Sequence, residues 1–145
     1  MKRHVRTVGG CLSVALTVPV LLSGCGTQDT VNGKTKVEIV QYKPEAVKAF
    51  EALEAKFNET HDDIELVIDS PNDAMTILKT RFIREDYPDI IGIGGDINYS
   101  NFLDSDMLMD ISDYEGLKDI KESYLKTDKE LEFVPMEGIY AAPYM

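Results

Sequence analysis

Thiols, histidines, positive charge and long apolar runs are all scarce in this sequence, and each shortage excludes something. The only cysteines are Cys11 and Cys25, so nothing beyond residue 25 can form a disulfide or give a thiolate to a metal. The histidines are His4 and His61 alone. One imidazole and no thiol in the body leave no zinc set and no Cys/His nucleophile. Fifteen Lys and Arg face 26 Asp and Glu, for a formal charge of −11. No basic stripe is present, and a surface this acidic repels phosphate backbones, which excludes nucleic acid as a partner. The single sizeable apolar run, from Val8 to Leu22, has about fifteen residues and contains Pro19, against roughly twenty needed to span a bilayer. No Gly-x-Ser-x-Gly elbow occurs.

What is present begins with that run. Lys2, Arg3 and Arg6 precede it, and Leu22-Ser23-Gly24-Cys25 ends it. A basic start, a short apolar middle and small residues at the end make a secretory signal. With cysteine last, the pattern resembles a bacterial lipoprotein signal with its lipobox. The resemblance implies removal of residues 1–24 and lipid on Cys25, placing the protein outside the cytoplasm, anchored to the cell membrane. Loss of three basic side chains leaves the remainder at −14. Its 121 residues suffice for one domain with a core, and 43% hydrophobic with 28% charged residues is ordinary for a folded protein.

Residues 25–36 are mostly small and polar and read as a flexible tether. A domain over 37–145 follows. Val37–Tyr42 is β-branched and partly alternating, a strand. Pro44 opens a helix to about residue 59, with Ala46, Phe50, Leu53 and Phe57 as its apolar stripe. Ile64–Asp69 is a second strand. Asn72 or Asp73 caps a helix running to about Glu85, with Met75, Leu78 and Phe82 on one side. Asp89–Gly94 is a third strand, apolar enough to be covered on both faces. A short helix over 98–104 should turn Phe102 and Leu103 inward, and Leu117–Leu125 should be helical with Leu117, Ile120 and Tyr124 on one side. Gly138–Tyr144 reads as a strand entering a proline bend.

Strand, helix, strand, helix, strand is two consecutive βαβ units, an α/β fold with a largely parallel sheet flanked by helices. Ligands of such sheets collect at the carboxyl ends of the strands. That singles out 41–43, 69–73 and 94–98.

Three other patterns bear on chemistry. Gly92-Ile93-Gly94-Gly95-Asp96 is glycine-rich after a strand, but a dinucleotide fingerprint needs glycine at 97, where Ile97 stands. A glycine-lined strand end also lets a backbone approach something closely. Asp104, Asp106, Asp110 and Asp113 lack the order of a calcium loop, because Leu108 and Met109 interrupt it, and read as solvated carboxylates. Tyr42, Tyr99 and Tyr144 fall near strand ends and loops. Tyrosines pair an apolar face with a polar tip, which suits the C–H faces and hydroxyls of a sugar.

Taken in order, three segments resemble the N-terminal part of extracellular solute-binding proteins of carbohydrate ABC transporters. They are the lipobox; Pro88-Asp89-Ile90-Ile91 through Leu103 to Met107-Leu108-Met109-Asp110-Ile111-Ser112-Asp113-Tyr114; and Gly138-Ile139-Tyr140-Ala141-Ala142-Pro143-Tyr144. Asp106 stands where that family usually has glycine, and Ala141 replaces a frequent glycine. Family members are considerably longer and close two lobes over the solute, so the resemblance implies an N-lobe truncated at the inter-lobe crossing, with the second lobe missing. It implies capture of a sugar or oligosaccharide for a membrane permease, with no cofactor and no catalysis. The implied ligand-binding residues are Gln41, Tyr42, Asp96, Asn98 and Tyr144. The two tyrosines would stack on the sugar, and the others would bond its hydroxyls. The alternative is a small α/β nucleotide-binding or enzymatic domain on the same anchor.

Overall fold

β-Branched residues in 37–40 favour an extended chain, and the central strand is built on them. The computed structural model describes residues 29–144. The signal segment and Cys25 lie outside the described residues. The elements are β1 (Thr30–Val31), β2 (Lys34–Gln41), α1 (Val47–Thr60), β3 (Ile64–Asp69), α2 (Ala74–Ile83), β4 (Ile90–Gly92), α3 (Ile97–Asp104) and α4 (Glu122–Glu130). Short 3-10 turns at Pro44–Ala46 and Glu115–Asp119 complete the set. Among the described residues no helix is long and apolar enough to cross a membrane.

β3 runs parallel to β2 from Thr35↔Ile64 to Val40↔Asp69. β4 runs parallel to the other edge of β2, from Ile39↔Ile90 to Gln41↔Gly92. The chain therefore leaves β2 for one side and returns to the opposite side. That reversal is a topological switch point, and in such sheets the ligand crevice lies there, between the carboxyl ends of β2 and β4. The α/β class with a largely parallel sheet is thus the observed one.

Val40, Ala74 and Leu78 form a buried cluster joined by Tyr42, Met75, Phe82, Ile91 and Ile93. The edge-to-face pair of Phe82 and Phe102, at 5.2 Å, links it to the buried side of α3, where Tyr99, Phe102 and Leu103 lie. Asp73 caps α2 by accepting from Thr76 N, and Met75, Leu78 and Phe82 face inward as their spacing predicts. Helix α2 ends at Ile83, two residues before Glu85, which adopts φ 58°. Asp106 takes φ 57°, a left-handed conformation that Asp accepts more readily than most residues.

Several expectations give way. Residues 30–36 are a hairpin in place of a tether: Thr30 pairs with Thr35 and Val31 with Lys34 around Asn32-Gly33, both at positive φ. An Asn-Gly pair is what such a two-residue turn requires. In α1, Leu53 is 56% exposed and Glu54 turns inward in its place. The free edge of β3 explains this. Glu54 Oε2 accepts Ile68 N at 2.7 Å, while Asn58 accepts Leu66 N and donates to Leu66 O, both at 2.8 Å. Polar side chains of α1 thus satisfy backbone groups that a neighbouring strand would otherwise pair. β4 is only three residues long, and Ile90 is half exposed, so it is not covered on both faces by the described residues. The expected helix over 117–125 is broken, because Ile120 and Lys121 are extended between the 3-10 turn and α4; Tyr124 is exposed. Residues 138–144 form no regular element and are held by one backbone bond, Ile111 N to Ile139 O at 2.7 Å.

Candidate functional site

The crevice is walled by the residues that follow each strand. Gln41 ends β2, and its side chain is buried. Its Nε2 donates to Lys43 O at 3.1 Å and Ser70 Oγ at 2.6 Å, and its Oε1 accepts Lys43 N at 2.6 Å. Both amide hydrogens are spent inside the lobe. Gln41 therefore ties the end of β2 to the end of β3 and shapes the rim from below, in place of offering its amide to a ligand.

Tyr42, Asp96 and Tyr144 are brought together around two glycines. A Cβ on Gly92 would lie 2.7 Å from Tyr144 Oη and 2.9 Å from Gln41 Cβ. A Cβ on Gly94 would lie 3.1 Å from Tyr42 Oη and 3.4 Å from Asp96 Oδ2. A phenol and a carboxylate oxygen thus share one small region at the end of β4. The room left by the glycines is filled by the chain's own tyrosines. This is the close approach that a glycine-lined strand end permits, and it differs from an open phosphate cradle.

Asp96 also caps α3. Its Oδ1 accepts Asn98 N at 2.8 Å and Asn98 Nδ2 at 2.9 Å. Asp96 is exposed and Asn98 half-buried, so both stand at the crevice mouth with Asn98 oriented by the cap. Tyr144 is held on two sides: Phe50 packs edge-on with ring centroids 6.2 Å apart, and Lys43 Nζ lies 5.0 Å from its ring centre. It remains 39% exposed. Partial burial, with Tyr42 and Glu45 nearby, pushes its phenol up to about 12. Lys43 and Ser70 lie in the strand-end stretches 41–43 and 69–73 that the topology singles out. Phe50 lies outside them, and nothing local marks it, because tertiary packing brings it to Tyr144.

Tyr99 is not at the rim. It is buried beneath α3, its hydroxyl donating to Glu132 Oε1 at 3.3 Å, and burial beside Glu132 pushes its phenol well above the ordinary range. His61 stacks on Phe57 at 3.8 Å and ends α1. Among the described residues no His, Cys, Asp and Glu group of three or more is placed to hold a metal ion. A cavity of about 780 Å³ lies on the α2 side of the sheet, lined by Lys36–Glu38, Asp69, Arg81, Asp86, Tyr87 and Asp89 and by none of Gln41, Tyr42, Asp96, Asn98 and Tyr144. Glu38 and Asp86 pair there with Lys36 and Arg81, and Asp29, Asp69 and Asp89 add three further carboxylates to the lining.

Replacing Gly92 by alanine is expected to unseat Tyr144 at a stability cost of about 2 kcal/mol, because the new methyl meets both the far end of Tyr144, which can swing out, and Gln41 Cβ at 2.9 Å, which is fixed to β2. Released into water, the Tyr144 phenol should titrate nearer the ordinary tyrosine value. Spectrophotometric tyrosine titration against a Tyr144→Phe control reads this; an unchanged high-pH step in Gly92→Ala would show that Tyr144 does not sit on Gly92.

No protein-family model matches this sequence, and no curated protein matches it. Solved structures do. The apo form of RafE from Streptococcus pneumoniae aligns with a TM-score of 0.59 at 23% identity, covering 67% of this chain and 25% of that one. The solute-binding protein RafE in complex with raffinose aligns with a TM-score of 0.58 at 24% identity, covering 64% of this chain and 24% of that one. This chain thus matches about a quarter of RafE's length. At that identity the likeness is one of fold: the α/β lobe described here is part of a solute-binding-protein fold.

Proposed function

We propose that this chain is the extracytoplasmic, solute-capturing lobe of a carbohydrate ABC importer, held to the membrane by lipid on Cys25 and serving a permease without catalysing a reaction. The observation that carries this reading is the convergence of Tyr42, Tyr144 and Asp96 at the carboxyl ends of β2 and β4, on a fold shared with RafE. RafE has been seen with raffinose. Two amphipathic rings, with a carboxylate and an oriented amide beside them, offer stacking for sugar C–H faces and partners for hydroxyls. The glycines that a nucleotide loop would use are occupied by those same tyrosines.

One lobe supplies one wall. Closure around a solute is favoured when the ligand contacts both walls in the closed state. The described residues alone should therefore hold an oligosaccharide weakly, with Kd of about 1 mM or higher. Backbone NMR titration with raffinose is expected to move the amides of Tyr42, Gly94, Asp96, Asn98 and Tyr144. An ATP titration is expected to leave them in place. Shifts confined to the cavity beside Arg81, or moved by ATP and not by any sugar, would overturn the reading. Calorimetry that gave micromolar affinity for this chain alone would refute the one-wall argument.

A further inference from the structure

The chain closes or shortens the edges of its sheet, with one exception. Along β3, Glu54 and Asn58 satisfy Ile68 N, Leu66 N and Leu66 O. Beside β2, Asp29 O takes Lys36 N and Asp89 Oδ2 takes Glu38 N. β1 is only two residues long. Such devices keep an edge from pairing with another chain. The outer edge of β4 has none. Among the described residues β4 pairs with β2 alone, and no backbone or side-chain group bonds its other side. Neither a charged residue nor a proline lies between Asp89 and Asp96. The sequence favours an extended chain over Asp89–Gly94, yet only Ile90–Gly92 is paired.

The open groups follow from the register. Thr35 N turns toward β3 and Glu38 N toward the opposite side. Backbone groups alternate along a strand, so Val40 faces β4, and Ile90 and Gly92 face back to it. Ile91 and Ile93 are left with N–H and C=O turned outward. Their side chains pack against the cluster of Val40 and Leu78, whereas Ile90 is half exposed. We propose that this edge is closed by the same edge of a second copy of the chain, antiparallel about a two-fold axis at Gly92. Ile91 then meets Ile93 of the partner subunit, and Ile93 meets Ile91 of the partner subunit, each pair exchanging both backbone bonds. Two features favour a second copy as the occupant. In this register Asp89 falls opposite Gly95 and Asp96 opposite Pro88, so no carboxylate meets another across the pair. The β-branched side chains of Ile91 and Ile93 continue one apolar face through both copies, and glycine at the axis lets the two backbones come close. The interface lies on the edge of β4 turned away from β2, so the crevice between those two strands stays open. Acidic bodies at −11 per chain repel each other, so the pair should tighten as salt is added.

Amide exchange reads this pairing residue by residue. The full chain in detergent micelles is followed by NMR-detected exchange and by sedimentation equilibrium at matched buoyant density. Raising the protein from about 10 μM to about 1 mM is expected to slow exchange at Ile91 and Ile93 about tenfold and to double the protein mass. Gly92 should not respond, because β2 already holds its N–H at either concentration. Ile93→Lys places an ammonium that reaches water from an open edge and is trapped by a paired one. A melting curve checks that this variant is folded, and it is expected to stay monomeric. The wild-type exchange pattern decides independently of that variant. A wild-type chain that is monomeric at every concentration overturns the proposal. So does a dimer whose Ile91 and Ile93 exchange freely, or one that survives in folded Ile93→Lys. A monomer that binds a synthetic peptide of residues 88–95, with the same two amides protected, would make the edge an acceptor for a foreign strand and remove the second copy as its occupant.

Discussion

Arg81→Met should lower stability by about 2–3 kcal/mol at neutral pH. Arg81 projects from α2 onto β2 and grips Glu38 with both forks, Nη1 to Oε1 at 2.8 Å and Nη2 to Oε2 at 2.9 Å. Its Nη2 also reaches Asp86 Oδ1 at 3.1 Å, and its Nε reaches Asp86 O at 3.3 Å. One guanidinium therefore joins the central strand, α2 and the loop that leads into β4. The side chains of Arg81 and Glu38 are 18% and 17% exposed, so the pair is shielded but not dry. Methionine keeps the stem and removes the fork, leaving Glu38 with Lys36 at 3.3 Å as its remaining cation. The expected cost sits below the usual figure for fully buried pairs because water still reaches both groups. For a body of this size a Tm fall of about 10 °C corresponds.

The pH dependence separates loss of the pair from loss of packing. The hydrogen bonds from Arg81 hold the Glu38 carboxyl below its ordinary range, against burial, with Lys36 adding a smaller pull. A carboxyl depressed in the folded state contributes stability that is present above its unfolded value and lost as pH falls through its folded value. The deficit of Arg81→Met should therefore be complete at pH 7 and shrink once the pH drops below about 4. A deficit that is flat from pH 7 to pH 3 would assign the loss to packing. The double variant Arg81→Met, Glu38→Leu should be more stable than Arg81→Met alone, because no half-buried carboxylate is then left without its partner.

The same residues show how far the sequence could be read. Periodicity located β2, β3 and α2 because their alternation and inward stripes are set by burial against one another. The inward faces of Leu78, Phe82, Phe102 and Leu103 followed from spacing alone. The Asn32-Gly33 turn was in the sequence as a short-range signal, hidden by the polar composition around it. Glu54 and Leu53 exchange places for a reason that no hydropathy pattern contains: β3 has a bare edge, and a carboxylate on α1 satisfies it. Gln41 is polar at a strand end, which describes equally a ligand-facing amide and a buried clamp. Only the position of Ser70 and the backbone of Lys43 decide for the clamp. The rim was legible as a place, since parallel strands present their carboxyl ends together, whereas the seat of Tyr144 between Phe50 and Lys43 comes from tertiary packing.

Gly138→Ala is expected to cost about 3 kcal/mol, concentrated in the segment that carries Tyr140 and Tyr144. Two independent penalties meet at this glycine. Its φ is +105°, a region L-residues enter only under strain, which alone costs about 1–3 kcal/mol. A Cβ there would also lie 2.6 Å from Asp110 Oδ2. Asp110 cannot yield without loss, because its Oδ1 accepts Ser112 N at 2.9 Å and Ile139 N at 3.2 Å, and Ser112 Oγ in turn accepts Ile139 N at 2.9 Å. Bonds from Ser112, then from Ile139, hold this exposed carboxyl below its ordinary range. Asp110 is thus the post to which residues 138–140 are tied, and Gly138 is the only residue type that passes it at this φ. The strain should be relieved by local release in place of global unfolding. Hydrogen exchange at Ile139 and Ile111 is expected to accelerate far more than exchange at Val40 or Leu78. Tyr144, carried on the released segment, should leave Gly92 and lose its elevated ionisation. In an Asp110→Ala background the steric part vanishes and the φ part remains, so Gly138→Ala should cost less there. An equal cost in both backgrounds would assign the whole effect to backbone conformation. Unchanged exchange at Ile139 would show that Gly138 is not what lets this segment reach the crevice.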